Sequence, residues 1–300
     1  MQKQQQRTRM LILTTLHLVL ASMMIALNVP LANADLTDYG LFKGVNYQQS
    51  GNTQPSAIIG ALGIVSLDDD NGADFASAHV ATTSPSSPFP LSVQLSGNSF
   101  GIGLGNTNLS KAYGTQTALD TDLPNSALYQ FAVSGGTLGT KTASLTSPAT
   151  DLFPSVPFFN GSIFSQLQGM HSAAPFQFAW NGFTPAAGTD SNSGQIIIDI
   201  HRVSDGKDML SGFLPFGDNT FKSFLLPANT LQPNTTYDAS LVYANGILTP
   251  NAGFGGAFSQ IDFATKTDLI FTTVPEPSSL MLLAVGSLGL FAYIRRRRRV

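Results

Sequence analysis

The residues able to do chemistry in this chain are few. Gly97, Asn98, Ser99, Phe100 and Gly101 fit the G-x-S-x-G pattern that exposes a serine hydroxyl for attack on an acyl group. That pattern works only on a sharp turn from strand into helix, and the adjoining residues GIGLGNTN do not have a helical pattern. GIGLG itself lacks the G-x-G-x-x-G spacing and the helix that a dinucleotide needs. The histidines after the amino terminus are His79, His171 and His201, and none stands in the H-E-x-x-H spacing of a zinc hydrolase. Acid and base work on a glycosidic bond needs two carboxylates held across the sugar. Of 18 acidic residues 17 are Asp, no pair of them stands out, and the single Glu, Glu276, lies between two prolines near the carboxyl end. The expectation is a protein with no catalytic residues.

One acidic constellation points to a cation. LDDDNGADF gathers Asp68, Asp69, Asp70, Asn71 and Asp74 around a turn glycine, although it misses the D-x-D-x-D-G register of a calcium loop. It is read as a hydrated acidic turn, with Asp68, Asp70 and Asp74 as the calcium ligands it would offer. No other cofactor or metal is expected. Trp180, the lone tryptophan, could stack on a sugar, but on an alternating strand it is expected in the core.

Composition narrows the class further. Charged residues make up 11% of the chain and apolar ones 43%, against roughly a quarter charged in an ordinary soluble domain. Eight of the fifteen Lys and Arg sit at the ends, as Lys3, Arg7 and Arg9 and as Arg295 to Arg299. Between Asp35 and Val274, 17 Asp face seven basic residues, so the body is strongly acidic and unsuited to nucleic acid or anionic lipid. There is no cysteine, which excludes disulfides and thiolate metal sites.

The two ends read as targeting segments. MQKQQQRTRM is a basic stretch, LILTTLHLVLASMMIAL an apolar one, and Ala32-Asn33-Ala34 a small-x-small site, so residues 1–34 are expected to be a signal peptide cut by signal peptidase before Asp35. Ser278 to Ile294 runs 17 residues without a charge and ends against Arg295, Arg296, Arg297, Arg298 and Arg299. As a helix of about 25 Å it would just span a membrane with the arginines reaching for the headgroups. The positive-inside rule keeps those arginines cytoplasmic and puts the body outside. Pro275 and Pro277 forbid helix and ladder pairing, which leaves Glu276 on an extended segment that a protease can grip.

Val274-Pro275-Glu276-Pro277, a short apolar helix and a terminal arginine cluster, in that order over residues 274–300, resemble the PEP-CTERM sorting signal. The resemblance implies recognition and processing by an exosortase of a Gram-negative bacterium, a membrane-anchored precursor, and delivery to the outside or the outer cell surface. It also implies an association with exopolysaccharide and biofilm matrix. LPANT at Leu226 to Thr230 only grazes the rival LPxTG signal and lies far upstream of the apolar run.

The body that these ends deliver is expected to be all-β. Period-two alternation appears at Leu91, Val93 and Leu95, at Ile196, Ile198 and Ile200, and at Tyr237, Ala239, Leu241 and Tyr243. Turn signals stand at Asn71-Gly72, Asn160-Gly161, Asn181-Gly182, Asp205-Gly206 and Asn245-Gly246. No convincing helix is seen in the body. Two β-sandwich-like domains are expected, over 35–172 and 173–273, with the Pro-rich SPATDLFPSVPFF as the connection. In the second, Leu231, Pro233, Thr235 and Tyr237 match the L-x-P-x-T-x-Y spacing of a tyrosine corner. That domain resembles a fibronectin type III or immunoglobulin-like sandwich, from which the Gly-rich NGILTPNAGFGGAFSQ departs. The function so read is a secreted, non-enzymatic structural or adhesive protein of an extracellular matrix, with a carbohydrate-binding module as the alternative.

Overall fold

The computed structural model describes residues 38–68, 77–82, 93–96, 111–135, 139–190, 193–214, 222–250 and 257–274. In chain order the strands of the first half are β1 (Asp38–Gln48), β2 (Ile58–Asp68), β3 (Ser77–Thr82), β4 (Val93–Ser96) and β5 (Lys111–Tyr113). Helix α1 (Gln116–Asp122), β6 (Leu128–Ser134), β7 (Lys141–Thr146) and helix α2 (Ile163–Leu167) come next. The second half supplies β8 (Phe176–Ala179), β9 (Gln195–Arg202), β10 (Asp208–Leu214), β11 (Ser223–Leu226), β12 (Thr236–Pro250) and β13 (Phe258–Thr272). The fold is all-β and layered.

Seven strands form one sheet in the order β10-β9-β12-β13-β1-β2-β5, and its only parallel pair among the described strands is β1 with β13. Along β12 the alternation read from sequence sends Tyr237, Ala239, Leu241 and Tyr243 to one face, where Ile196, Ile198 and Ile200 of β9 join them. Two smaller sheets belong to the layer opposite this face, β4-β3-β6-β7 and β11-β8. The first closes a core of Tyr39, Leu41, Val45 and Val65 against Phe131, Val133 and Leu145. The second closes a core in which Trp180, Phe178 and Leu226 meet Leu241, Leu269 and Phe271.

The first core draws on residues from Tyr39 to Leu145 and on Ala257, Ile261 and Phe263, the second on residues from Phe159 to Phe271, and one sheet runs through both. At about 3.3 Å per residue, the 15 residues each of β12 and β13 reach roughly 50 Å, far more than one sandwich spans. One end of β13 supplies Ile261 and Phe263 to the first core and the other supplies Leu269 and Phe271 to the second. Of the Gly-rich stretch that departs from a compact sandwich, residues 245–250 belong to β12 and 258–260 to β13. Accordingly Asn245-Gly246, read as a turn, lies inside β12, where Gly246 faces Asp262: a Cβ there would stand 2.2 Å from the Asp262 carboxylate. Asn160-Gly161 and Asp205-Gly206 are turns as expected, with Gly161 at φ 58° and Gly206 at φ 69°.

The two short helices were not expected. Helix α1 is seven residues long, starts where the Thr115 hydroxyl accepts from Ala118 N at 3.2 Å, and lays Leu119 and, just past its end, Leu123 over Gly63 of β2. The Pro-rich connection crosses the inner face of the large sheet as a strap. Its prolines lack N–H groups and cannot join a ladder, so polar side chains of the sheet satisfy its carbonyls instead. Asn245 donates to Leu152 O, Thr265 to Ser155 O and Thr267 to Pro157 O, while Gln49 both donates to and accepts from the Phe159 backbone.

Candidate functional site

β13 ends two residues before Val274, the last described residue, which directly precedes Pro275-Glu276-Pro277 in the sequence. Thr273 N donates to Thr235 O at 3.0 Å, and its hydroxyl donates to Gln232 O at 2.7 Å while accepting from Thr235 N at 3.0 Å. Val274 N donates to Met170 O at 3.0 Å, and Val274 bridges His171 in parallel. Gly169 N donates to Thr272 O on the same side. The chain is therefore held on two flanks as far as Val274.

The flank formed by Gln232 and Thr235 is the tyrosine corner. Tyr237 is fully buried, stacks on Phe271 at 5.6 Å between ring centroids, and its hydroxyl accepts from Gln232 N at 2.7 Å. Leu231 is buried beneath the corner, and the Thr235 hydroxyl donates to Pro233 O. The spacing read from sequence thus serves the junction directly: the corner fixes Gln232 and Thr235, and these fix Thr273.

Most of the remaining sequence candidates lie outside the described residues. These are Ala32, Ala34 and Asp35 of the cleavage site, Pro275, Glu276, Pro277 and Arg295 to Arg299 of the sorting segment, and the 278–294 span. Gly97 to Gly101 and Asp69 to Asp74 lie outside as well; Asp68 ends β2 opposite Asp38. Among the described residues, no group of three His, Asp or Glu is arranged to hold a metal, and no helix is long and apolar enough to cross a membrane. The Trp180 indole is buried in the second core, out of reach of a sugar. His201 Nδ1 sits 2.6 Å from Asp208 Oδ1 across the β9–β10 hairpin, and His171 carries the bridge to Val274.

Sequence reasoning missed two groups of buried charges. Lys43, in the inward register of β1 between Leu41 and Val45, meets Asp120, Asp151 and Asn125. On the outer face of the large sheet, Lys266 sits 2.9 Å from Asp268, with Asp238 and Asp199 near by. Burial, helped by the Asp268 charge, pushes the Asp238 carboxyl up against the pull of Lys266. On the same face burial pushes Asp262 up to about 7, with only the Gln260 amide bond opposing it. The signal for Lys43 was present: in LFKGV a lysine occupies an apolar-face position of an alternating strand.

Comparisons with known proteins divide in the same way between body and tail. No curated protein matches the sequence. Among solved structures, the FN1–FN3 domains of chicken CNTN1 align at 14% identity over 80% of this chain and 68% of theirs, with a TM-score of 0.21. A two-domain fibronectin type III segment of chicken tenascin aligns at 11% identity over 79% of this chain and 99% of its own, with a TM-score of 0.23. At the carboxyl end residues 273–299 match the PEP-CTERM protein-sorting motif, so the chain carries that sorting signal beginning at the residues where its folded body is pinned.

Proposed function

We propose that this chain is a non-enzymatic extracellular protein, exported after signal peptidase cuts before Asp35, held briefly in the membrane by 278–294, and processed by an exosortase at Pro275-Glu276-Pro277. In this reading the mature body is a structural or adhesive component of an exopolysaccharide or biofilm matrix. The observation that carries the proposal is the sorting motif at 273–299, set directly against the last body hydrogen bond at Val274. A protease then meets a short extended target between a rigid body and the bilayer, and the strongly acidic body is repelled from anionic headgroups. Replacing Glu276 by Ala removes the one residue of the tail that an enzyme, not the bilayer, would read. The variant is expected to accumulate in membrane fractions at the precursor's size, while wild type appears shortened and outside the membrane. Equal processing of both on blots of membrane and medium fractions overturns the exosortase reading. Retention of the mature protein on the producer's own polysaccharide in a pull-down tests the matrix role.

A further inference from the structure

Lys43 points inward from β1 with only 3% of its side chain exposed. Its Nζ lies 2.5 Å from Asp151 Oδ1, 2.6 Å from Asp120 Oδ1 and 3.2 Å from Asn125 Oδ1. The partners come from the strap and from the stretch formed by α1 and the turn after it, so with β1 three separate pieces of chain meet at one amine. The second Asp151 oxygen accepts from Gln116 Nε2 at 2.9 Å, which fixes that carboxyl in place. An ion pair accounts for the amine and the carboxylates. The third N–H of the ammonium goes to the Asn125 carbonyl oxygen, and that bond holds the carboxamide against the amine.

We propose that Lys43 and Asn125 are joined by an intramolecular amide bond formed in the folded protein, with Asp151 and Asp120 carrying the protons. The Lys43 ammonium passes a proton to a neighbouring carboxylate, and the free amine's lone pair attacks Asn125 Cγ, forming the N–C bond. A carboxyl supports the oxygen that takes the negative charge, and the carboxylate moves a proton from the attacking nitrogen to Nδ2. The Cγ–Nδ2 bond then breaks and ammonia leaves, while the carboxyl keeps the proton that Lys43 gave up. No oxidant or co-reactant enters. The proton carriers suit the task, since burial and the nearby Asp151 push the Asp120 carboxyl up against the pull of Lys43. Convergence of the groups supplies the effective concentration that an amide condensation lacks in solution.

Such a bond answers a need of this chain. With no cysteine it can form no disulfide, yet the link between Lys43 and Asn125 spans 82 residues and would restrict the unfolded chain as a long-loop disulfide does. The test is peptide mapping of the purified full chain, denatured and digested with trypsin. The expected result is no cleavage after Lys43, and one branched species joining the peptide that ends at Lys111 to residues 112–141, lighter than the two together by one ammonia. Lys43→Arg keeps the charge and is expected to show the separate peptides. Unlinked peptides with cleavage after Lys43 in wild type overturn the proposal and leave an ion pair. A branch lighter by one water overturns Asn125 as the acceptor, because an aspartate would then have reacted.

Discussion

Tyr237 joins a sequence signal to the junction that matters. Its hydroxyl accepts one backbone N–H, from Gln232, inside a packed corner. Tyr237→Phe keeps the ring against Phe271 and strands that N–H, so a loss of about 0.5 to 1.5 kcal/mol is expected, and more if the donor finds no water. The urea midpoint, followed by Trp180 emission from the same core, reads it; an unchanged midpoint removes the corner from the account. Asp262 makes the opposite kind of contribution. Its carboxyl holds its proton up to about pH 7 in the folded protein, whereas the unfolded chain gives it up near its usual value of about 4. Folding is therefore favoured by this residue in acid, and that advantage is lost as pH rises from about 4 to 7, by at most on the order of 4 kcal/mol. Asp262→Asn cannot ionise. The gap between the variant and wild type in urea midpoint is expected to open in the variant's favour over that interval; a constant gap refutes the buried neutral acid.

At the scale of elements, the parallel seam between β1 and β13 leaves no room for a side chain at Gly40. Gly40 faces Gln260 so closely that an added Cβ would stand 2.2 Å from the Gln260 carbonyl oxygen, which is backbone of the paired strand and cannot swing away. Gly40→Ala is expected to cost about 1 to 3 kcal/mol or more through displacement of the ladder. Gly51→Ala, with nothing within 4 Å of the new atom, serves as the control and is expected to be close to neutral. Equal thermal midpoints for the two variants would show that the seam yields. The strap has a parallel logic. Asn245, Thr265 and Thr267 occupy inward positions where an apolar residue would leave proline-rich carbonyls stranded, so their polarity follows from the strap and not from solvent.

For the whole molecule, the shared sheet determines what can fold alone. Residues 35–172 contain β1 but lack β13 and the residue before it, and so lack the buried Ala257, Ile261 and Phe263 that complete their core. That fragment is expected to show poor amide dispersion and no cooperative thermal transition, while the body from 35 to 274 unfolds with one. A cooperative transition of the short fragment would overturn this. The arrangement also ties the junction to the entire body, because the strand that ends at the sorting signal passes through both cores.

Much of this was determined by the sequence alone, wherever the cause is local. The sorting segment is written in contiguous residues, Val274 to Pro277 and then an apolar run and arginines, and reading it needs no fold. The strand faces of β9 and β12 come from period two, and the tyrosine corner from a spacing of six residues. What only the tertiary structure decided are the pairings between distant segments. Nothing near Lys43 announces Asp120, Asn125 or Asp151, which lie 77, 82 and 108 residues away. Nothing in NGILTPNAGFGGAFSQ shows that its strands run on to meet β1, because glycine and asparagine signal a turn unless a neighbouring strand fills the space that they leave. Local chemistry sets strand, turn and signal; which strand lies beside which is decided by burial summed over the whole chain, and that sum puts the two ends of the body side by side in one sheet.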